Sequence, residues 1–237
     1  MKICGFNAVV ESLHAGRVKA LSIRDKRHDG LSEIVRLAEL QRIPVTQLSE
    51  KELDRVAGGQ RHQGVVASLS PHVMSTISDL VQSSESPLIV ALDGIEDPHN
   101  FGAIARVAEA AGAAGLIVQT RRAAPLSAAA VRASAGALAH LRLSSVVNLA
   151  RALGELKAAG IWTVGLDVDS DHSIYDIDFR QPTAIIVGSE GRGLRRLVRE
   201  RCDWRAALPM MGRVDSLNAS VATGVALFEA VRQRTRD

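Results

Sequence analysis

Leu88-Ile89-Val90-Ala91-Leu92, followed by Asp93-Gly94-Ile95-Glu96-Asp97-Pro98-His99-Asn100-Phe101-Gly102, sets the class of fold. The first five residues are an apolar run with turn residues behind it, the pattern of a parallel strand buried on both faces. Residues 100–112 then place Ile104, Ala105, Ala108 and Ala111 on one helical face, and residues 115–118 form a second apolar run. The alternation continues with an Ala-rich helix over 127–138 just behind Pro125, a strand over 141–147 and a helix over 148–159. Strands at 161–166, 183–187 and 206–208 follow, and a helix carries the chain almost to its end. Strand and helix in such alternation specify an α/β domain with a mainly parallel sheet.

Residues 1–69 read as a smaller α/β unit. Helices are expected at 6–14 and 31–41, strands at 18–23, 44–48 and 65–69, and a further helix opens at Ser49 with Glu52 as its capping-box partner. The loop Gly58-Gly59-Gln60-Arg61-His62-Gln63-Gly64 could face a polyanion or simply join two elements. Residues 70–87, rich in Ser with Pro71 and Pro87, read as a linker holding a short helix around 76–82. Residues 88–237 form the larger domain.

The chain has 237 residues and 46 % of them are apolar, enough for a sizeable core. It holds no run of about 18 apolar residues that would span a membrane. The first ten residues are too polar for a secretory signal, and Cys4 and Cys202 lack metal-ligand spacing, so a reducing cytoplasmic setting is expected. Net charge is only +3, but arginines cluster at Arg121-Arg122, Arg192, Arg195-Arg196, Arg199, Arg201 and Arg205, which suits a phosphate-rich partner or a solvated basic face. Aromatics are 3 % of the chain, so a nucleic acid, if bound, would be gripped through backbone charge and shape more than by stacking.

In open parallel sheets ligands sit beyond the carboxyl ends of the strands. Three polar, glycine-bearing loops fall there: 93–102 with Arg106 just beyond it, Gly188-Ser189-Glu190-Gly191-Arg192-Gly193, and the stretch from Leu208 to Ala222. In the third, Asp215, Ser216 and Asn218 can each cap the final helix, whose Val221, Gly224, Val225, Phe228 and Val231 are expected to face inward. No G-x-G-x-x-G dinucleotide fingerprint opens the first helix, and neither a P-loop nor a G-x-S-x-G elbow is present. The scattered histidines make no metal pattern, and no metal is expected.

The three loops together resemble the three motifs of the SpoU (TrmH) family of RNA ribose 2′-O-methyltransferases. Asp93 to Arg106 is similar to the first, Ile185 to Leu194 to the second, and Leu208-Pro209-Met210 with Ser216 to Ala222 to the third. Residues 1–69, with Gln63-Gly64-Val65-Val66-Ala67, resemble the L30e-like RNA substrate-binding domain of the branch that modifies a guanosine of 23S ribosomal RNA. The resemblance implies a SPOUT-type domain with a C-terminal trefoil knot, S-adenosylmethionine as methyl donor, an RNA substrate and a homodimer. It implies catalytic roles for Asn100, Arg106, Glu190, Ser216 and Asn218, and cofactor contacts from Gly188, Leu208, Met210 and Leu217. A transfer-RNA enzyme and a non-catalytic RNA-binding protein of the same fold remain as alternatives.

Overall fold

The computed structural model describes residues 1–25, 31–121, 123–124 and 126–235. Arg122 and Pro125, which figured in the sequence reading, lie outside the described residues.

The elements in chain order are β1 (Lys2–Cys4), α1 (Phe6–His14), β2 (Val18–Arg24), α2 (Ser32–Leu40), β3 (Val45–Leu48), α3 (Glu50–Ala57), β4 (Val65–Leu69), α4 (Ile77–Val81), β5 (Leu88–Asp93) and α5 (Pro98–Ala110). They continue with β6 (Gly115–Gln119), α6 (Ala128–Ala133), β7 (Leu143–Val146), α7 (Leu149–Ala158), β8 (Trp162–Leu166), β9 (Thr183–Gly188), α8 (Arg196–Arg201), β10 (Trp204–Ala206) and α9 (Ala219–Arg234).

Two sheets result. The first has the order β1-β4-β2-β3, and the second, six strands long, has the order β10-β8-β9-β5-β6-β7. Every pairing in the second sheet is parallel. Its strands are apolar throughout because both faces are covered. Val90, Leu92, Leu116, Ile185 and Val187 pack on the side of α5, α6 and α9, whereas Ile89, Ala91, Ile117, Ala184 and Ile186 face α4, α7 and α8. Strand order reverses around β5 and β9, so their carboxyl ends open onto the crevice where such sheets take ligands.

Four sequence expectations need correction. The helix expected over 100–112 starts at Pro98, because Asp97 caps it by accepting from the His99 amide at 3.0 Å. The helix expected over 127–138 stops after Ala133: Ala135 and Gly136 both take positive φ, and Gly136 packs against Glu11 of α1, where no side chain fits. The last strand is β10 at 204–206, not 206–208; its exposed Trp204 and Arg205 carry no apolar signal. Finally, α9 turns a different face inward. Ala219, Thr223, Ala226, Leu227 and Ala230 are buried, while Val221 and Phe228 are 51 % and 50 % exposed. Of the set expected inward, Gly224 does face Val107 of α5, while Val221 and Phe228 are left outside.

The smaller sheet docks on the larger domain through α6 and the turn behind it. Arg132 donates to Gln60, and His140 pairs with Glu11 at 2.9 Å. The segment at 70–87 is also fastened: Leu80 is fully buried, and Ser75 bridges to Ser144 beside β7. The end of α9 is fixed by Arg234, which donates to the carbonyls of Phe179 (2.7 Å), Ser86 (2.8 Å) and Gln181 (2.9 Å). Arg234→Ala is expected to lower unfolding free energy by about 2 kcal/mol, the scale of a few charge-assisted bonds offset by rehydrated carbonyls. Urea denaturation would read it, and an unchanged midpoint would show that this anchor is dispensable.

Candidate active site

Three elements that are distant in sequence converge at the rim of the β5–β9 crevice. Asn100 sits in the first turn of α5, Glu190 in the loop behind β9, and Asn218 at the N-cap of α9. Asn100 Nδ2 donates to Glu190 Oε1 at 2.9 Å, while Asn218 Nδ2 donates to Asn100 Oδ1 at 3.0 Å and to Glu190 Oε1 at 2.5 Å. The carbonyl side of Asn218 is spent on its own helix, accepting from the Ser220 amide (2.9 Å), the Ser220 hydroxyl (2.6 Å) and the Val221 amide (3.4 Å). The cap therefore fixes which way the Asn218 amide points, and both of its N–H groups are spent closing the triangle. Among the described residues Glu190 Oε2 has no hydrogen-bond partner.

Beside this triangle lies a pocket of about 630 Å³. Gly188, Glu190, Leu208, Met210, Ser216, Leu217 and Asn218 all line it. Ser216 stands apart from the triangle, its hydroxyl donating to Asp215 at 3.0 Å. The sequence reading missed one wall, Leu166 to Asp169, which follows β8 and meets the same strand-end rule that singled out the other loops. The segment 206–208 is held on both sides at this wall. Asp167 donates its amide to the Ala206 carbonyl (3.0 Å), Ala207 to the His172 carbonyl (2.8 Å), and Ile174 to the Ala207 carbonyl (2.8 Å). The lining carries four carboxylates, Asp167, Asp169, Glu190 and Asp215, against the two guanidiniums of Arg192 and Arg199.

Arg106 is placed otherwise. It is exposed on α5, lies outside the pocket lining, and has no hydrogen-bond or ion-pair partner among the described residues. Asn100 turns to Glu190 and Asn218, not to Arg106. The arginine cluster also divides. Arg195 pairs with Asp93, Arg196 with Glu200, and Arg199 and Arg205 both with Asp167, which leaves Arg121, Arg192 and Arg201 exposed without ion-pair partners among the described residues. In the Gly58–Gly64 loop, buried His62 accepts from the Gly64 amide (3.0 Å) and its other nitrogen meets Asp54 (3.0 Å), while Gln63 accepts from the Phe6 amide (2.9 Å). Only Arg61 of those three faces outward unpaired among the described residues. Cys202 is no nucleophile, since burial pushes its thiol up to about 12.

A family model described as the SpoU rRNA Methylase family matches residues 87–228. The chain belongs to this family. A second model, for RNA 2′-O ribose methyltransferase substrate binding, matches residues 2–73. The 23S rRNA (guanosine-2′-O-)-methyltransferase RlmB of Pseudomonas aeruginosa is 46 % identical, over 99 % of this chain and 97 % of its own length. Among solved structures, the SpoU methyltransferase AviRb of Streptomyces viridochromogenes in complex with AdoMet superposes with a TM-score of 0.84 and 31 % identity, covering 99 % of this chain and 90 % of its own. The TrmH/SpoU tRNA modifying enzyme of A. aeolicus matches with a TM-score of 0.58 and 30 % identity, over 67 % of this chain and 80 % of its own. The SpoU resemblance read from the three loops is thereby borne out, together with the parallel-sheet fold it implied.

Proposed function

We propose that this chain transfers a methyl group from S-adenosylmethionine to the ribose 2′-hydroxyl of a guanosine in 23S ribosomal RNA. The observation that carries the reading is the Asn100–Glu190–Asn218 triangle standing at the mouth of a pocket of about 630 Å³. That volume suits a nucleoside-sized ligand. The excess of carboxylates in its lining suits a cationic sulfonium. When bound, the cofactor supplies an electrophilic methyl group. Gly188, Leu208, Met210 and Leu217 would hold it, with glycine and loop backbone allowing close approach.

The remaining work falls to this chain's own side chains. A ribose hydroxyl is a weak nucleophile while protonated, so the site must orient its oxygen and favour loss of the proton. Arg106 is a poor base, because a guanidinium keeps its proton in proteins. Its role is to orient the hydroxyl and stabilise negative charge developing on that oxygen, together with a neighbouring phosphate. Glu190, locked through Oε1, keeps Oε2 for substrate, and Asn100 and Asn218 fix its direction. Ser216 shapes the loop that closes the pocket. Arg61 and Arg192 are the exposed cations placed to meet the RNA backbone.

The division into a substrate-binding unit (1–69), a connecting segment (70–87) and a methyltransferase unit (88–237), and the threading of 206–222 as a trefoil knot, belong to the same reading. So do a cytoplasmic location, where ribosomes are assembled, and a homodimer. The outward apolar side of α9 supports the dimer, with Val221 and Phe228 exposed on it and Val214 and Leu217 exposed in the loop before it. Phe228→Asp is expected to turn a dimer into a monomer in sedimentation equilibrium; a wild-type monomer would remove the interface from the reading.

Transfer RNA is the second substrate to weigh. The A. aeolicus tRNA enzyme spans only 67 % of this chain, whereas the Pseudomonas rRNA enzyme spans nearly all of it, which favours ribosomal RNA. Mapping 2′-O-methyl groups by mass spectrometry in ribosomal and transfer RNA, with and without the gene, tests this. Loss of one guanosine methyl group from 23S RNA is the expected result, and loss from transfer RNA alone would overturn it.

A further inference from the structure

The loop that presents Glu190 touches Asn100 and Asn218 only at its tip, and its attachment lies elsewhere. It leaves β9 at Gly188 and folds back on itself, the Gly193 amide donating to the Ser189 carbonyl at 2.9 Å. Gly188 packs directly on the Gly193–Leu194 backbone, so the turn is closed. One end is anchored in the sheet. The other end is Arg195, at the N-cap of α8.

Arg195 is bound unusually tightly for a surface-cluster arginine. Its backbone amide donates to Asp93 Oδ2 at 2.7 Å, its Nε to Asp93 Oδ1 at 2.6 Å, and its Nη2 reaches both Asp93 and Gln119. Asp93 ends β5 with its side chain fully buried, and Gln119 ends β6 and is 9 % exposed. The loop's exit is therefore tied to the carboxyl ends of two further strands. A buried carboxylate held by a forked guanidinium has one favourable geometry, which a lysine cannot reproduce.

We propose that Asp93, Arg195 and Gln119 form a clamp that sets the position of Glu190, making Arg195 a positioning residue for methyl transfer and not an RNA-facing charge. The inference rests on the reading of Glu190 as part of the site. Arg195→Lys in the full chain keeps the charge but loses the fork. It is expected to lower the single-turnover methylation rate at saturating adenosylmethionine on the order of 10- to 100-fold, as a sub-ångström to ångström displacement of a reacting group does. Because Arg195 acts through Glu190, the Arg195→Lys/Glu190→Gln double variant should be no slower than the slower single variant. Hydrogen exchange should quicken over 189–194 while the β5 and β9 amides keep their protection.

A wild-type rate in Arg195→Lys, effects that multiply in the double variant, or unchanged exchange over 189–194 would overturn the clamp. If Arg195→Lys does not fold, Gln119→Met, which leaves the Asp93–Arg195 pair in place, serves in the same comparison with a smaller loss expected. If the wild-type chain methylates no RNA, the proposed function fails, and the clamp is judged by hydrogen exchange alone.

Discussion

Arg106→Ala should reduce RNA methylation on the order of 10³-fold while leaving adenosylmethionine binding intact, the scale of losing one group that stabilises transition-state charge. Two features separate this substitution from a structural one. Arg106 is exposed and has no hydrogen-bond or ion-pair partner among the described residues, so its truncation should change stability by less than about 0.5 kcal/mol. It also lies outside the pocket lining, so calorimetry should find the affinity for adenosylmethionine unchanged. A lysine at this position retains charge but not the planar fork, and should recover only part of the rate. Should Arg106→Ala methylate RNA at the wild-type rate, Arg106 has no part in activating the hydroxyl. The Glu190 carboxylate, with Oε2 unpaired among the described residues, would be the next to test, as acceptor of the hydroxyl proton and not as a stabiliser of negative charge.

How far the sequence carried this site depended on which physical signal each part left behind. β5, β6 and β9 are buried on both faces and so announce themselves as apolar runs; the loops behind them followed from the strand-end rule. β10 left no such signal because it is an edge strand with Trp204 and Arg205 exposed. α8 was hidden for another reason: Arg196-Leu197-Val198-Arg199-Glu200-Arg201 reads as a basic cluster, yet three of the nearby arginines are spent on Asp93 and Asp167. Local charge counting cannot see a partner about 100 residues away, a separation that only the parallel sheet closes. The inward side of α9 was misread because helical periodicity admits two stripes, and size, not hydrophobicity, chose between them. The stripe buried is Ala219, Thr223, Ala226, Leu227 and Ala230, which leaves Val221 and Phe228 outside.

The second large effect is expected from Gly188→Ala, a single methyl group. A glycine that changes to alanine usually gains a little stability where the backbone permits it, about 0.4–1 kcal/mol. Here the new Cβ would run into the carbonyl of Gly193 and the amide of Leu194, and these are backbone atoms that cannot rotate away. The turn cannot yield toward α8 either, because Arg195 is fastened to Asp93 immediately beyond it. The strain is relieved only by lifting the Glu190 end, which parts Glu190 from Asn100 and Asn218 and opens the pocket that Gly188 lines. Adenosylmethionine affinity should fall on the order of 100-fold, with methyl transfer falling at least as far. Gly191→Ala is the comparison: it sits in the same turn at φ +75° and also lines the pocket, but an added Cβ there meets nothing within 4 Å. Its cost is backbone strain alone, about 1 kcal/mol, without a clash to propagate. Equal affinities in the two variants would mean that the close packing at Gly188 is incidental to the pocket. A loss confined to Gly188→Ala would place the closed turn, and the backbone contact that shapes it, at the base of cofactor recognition.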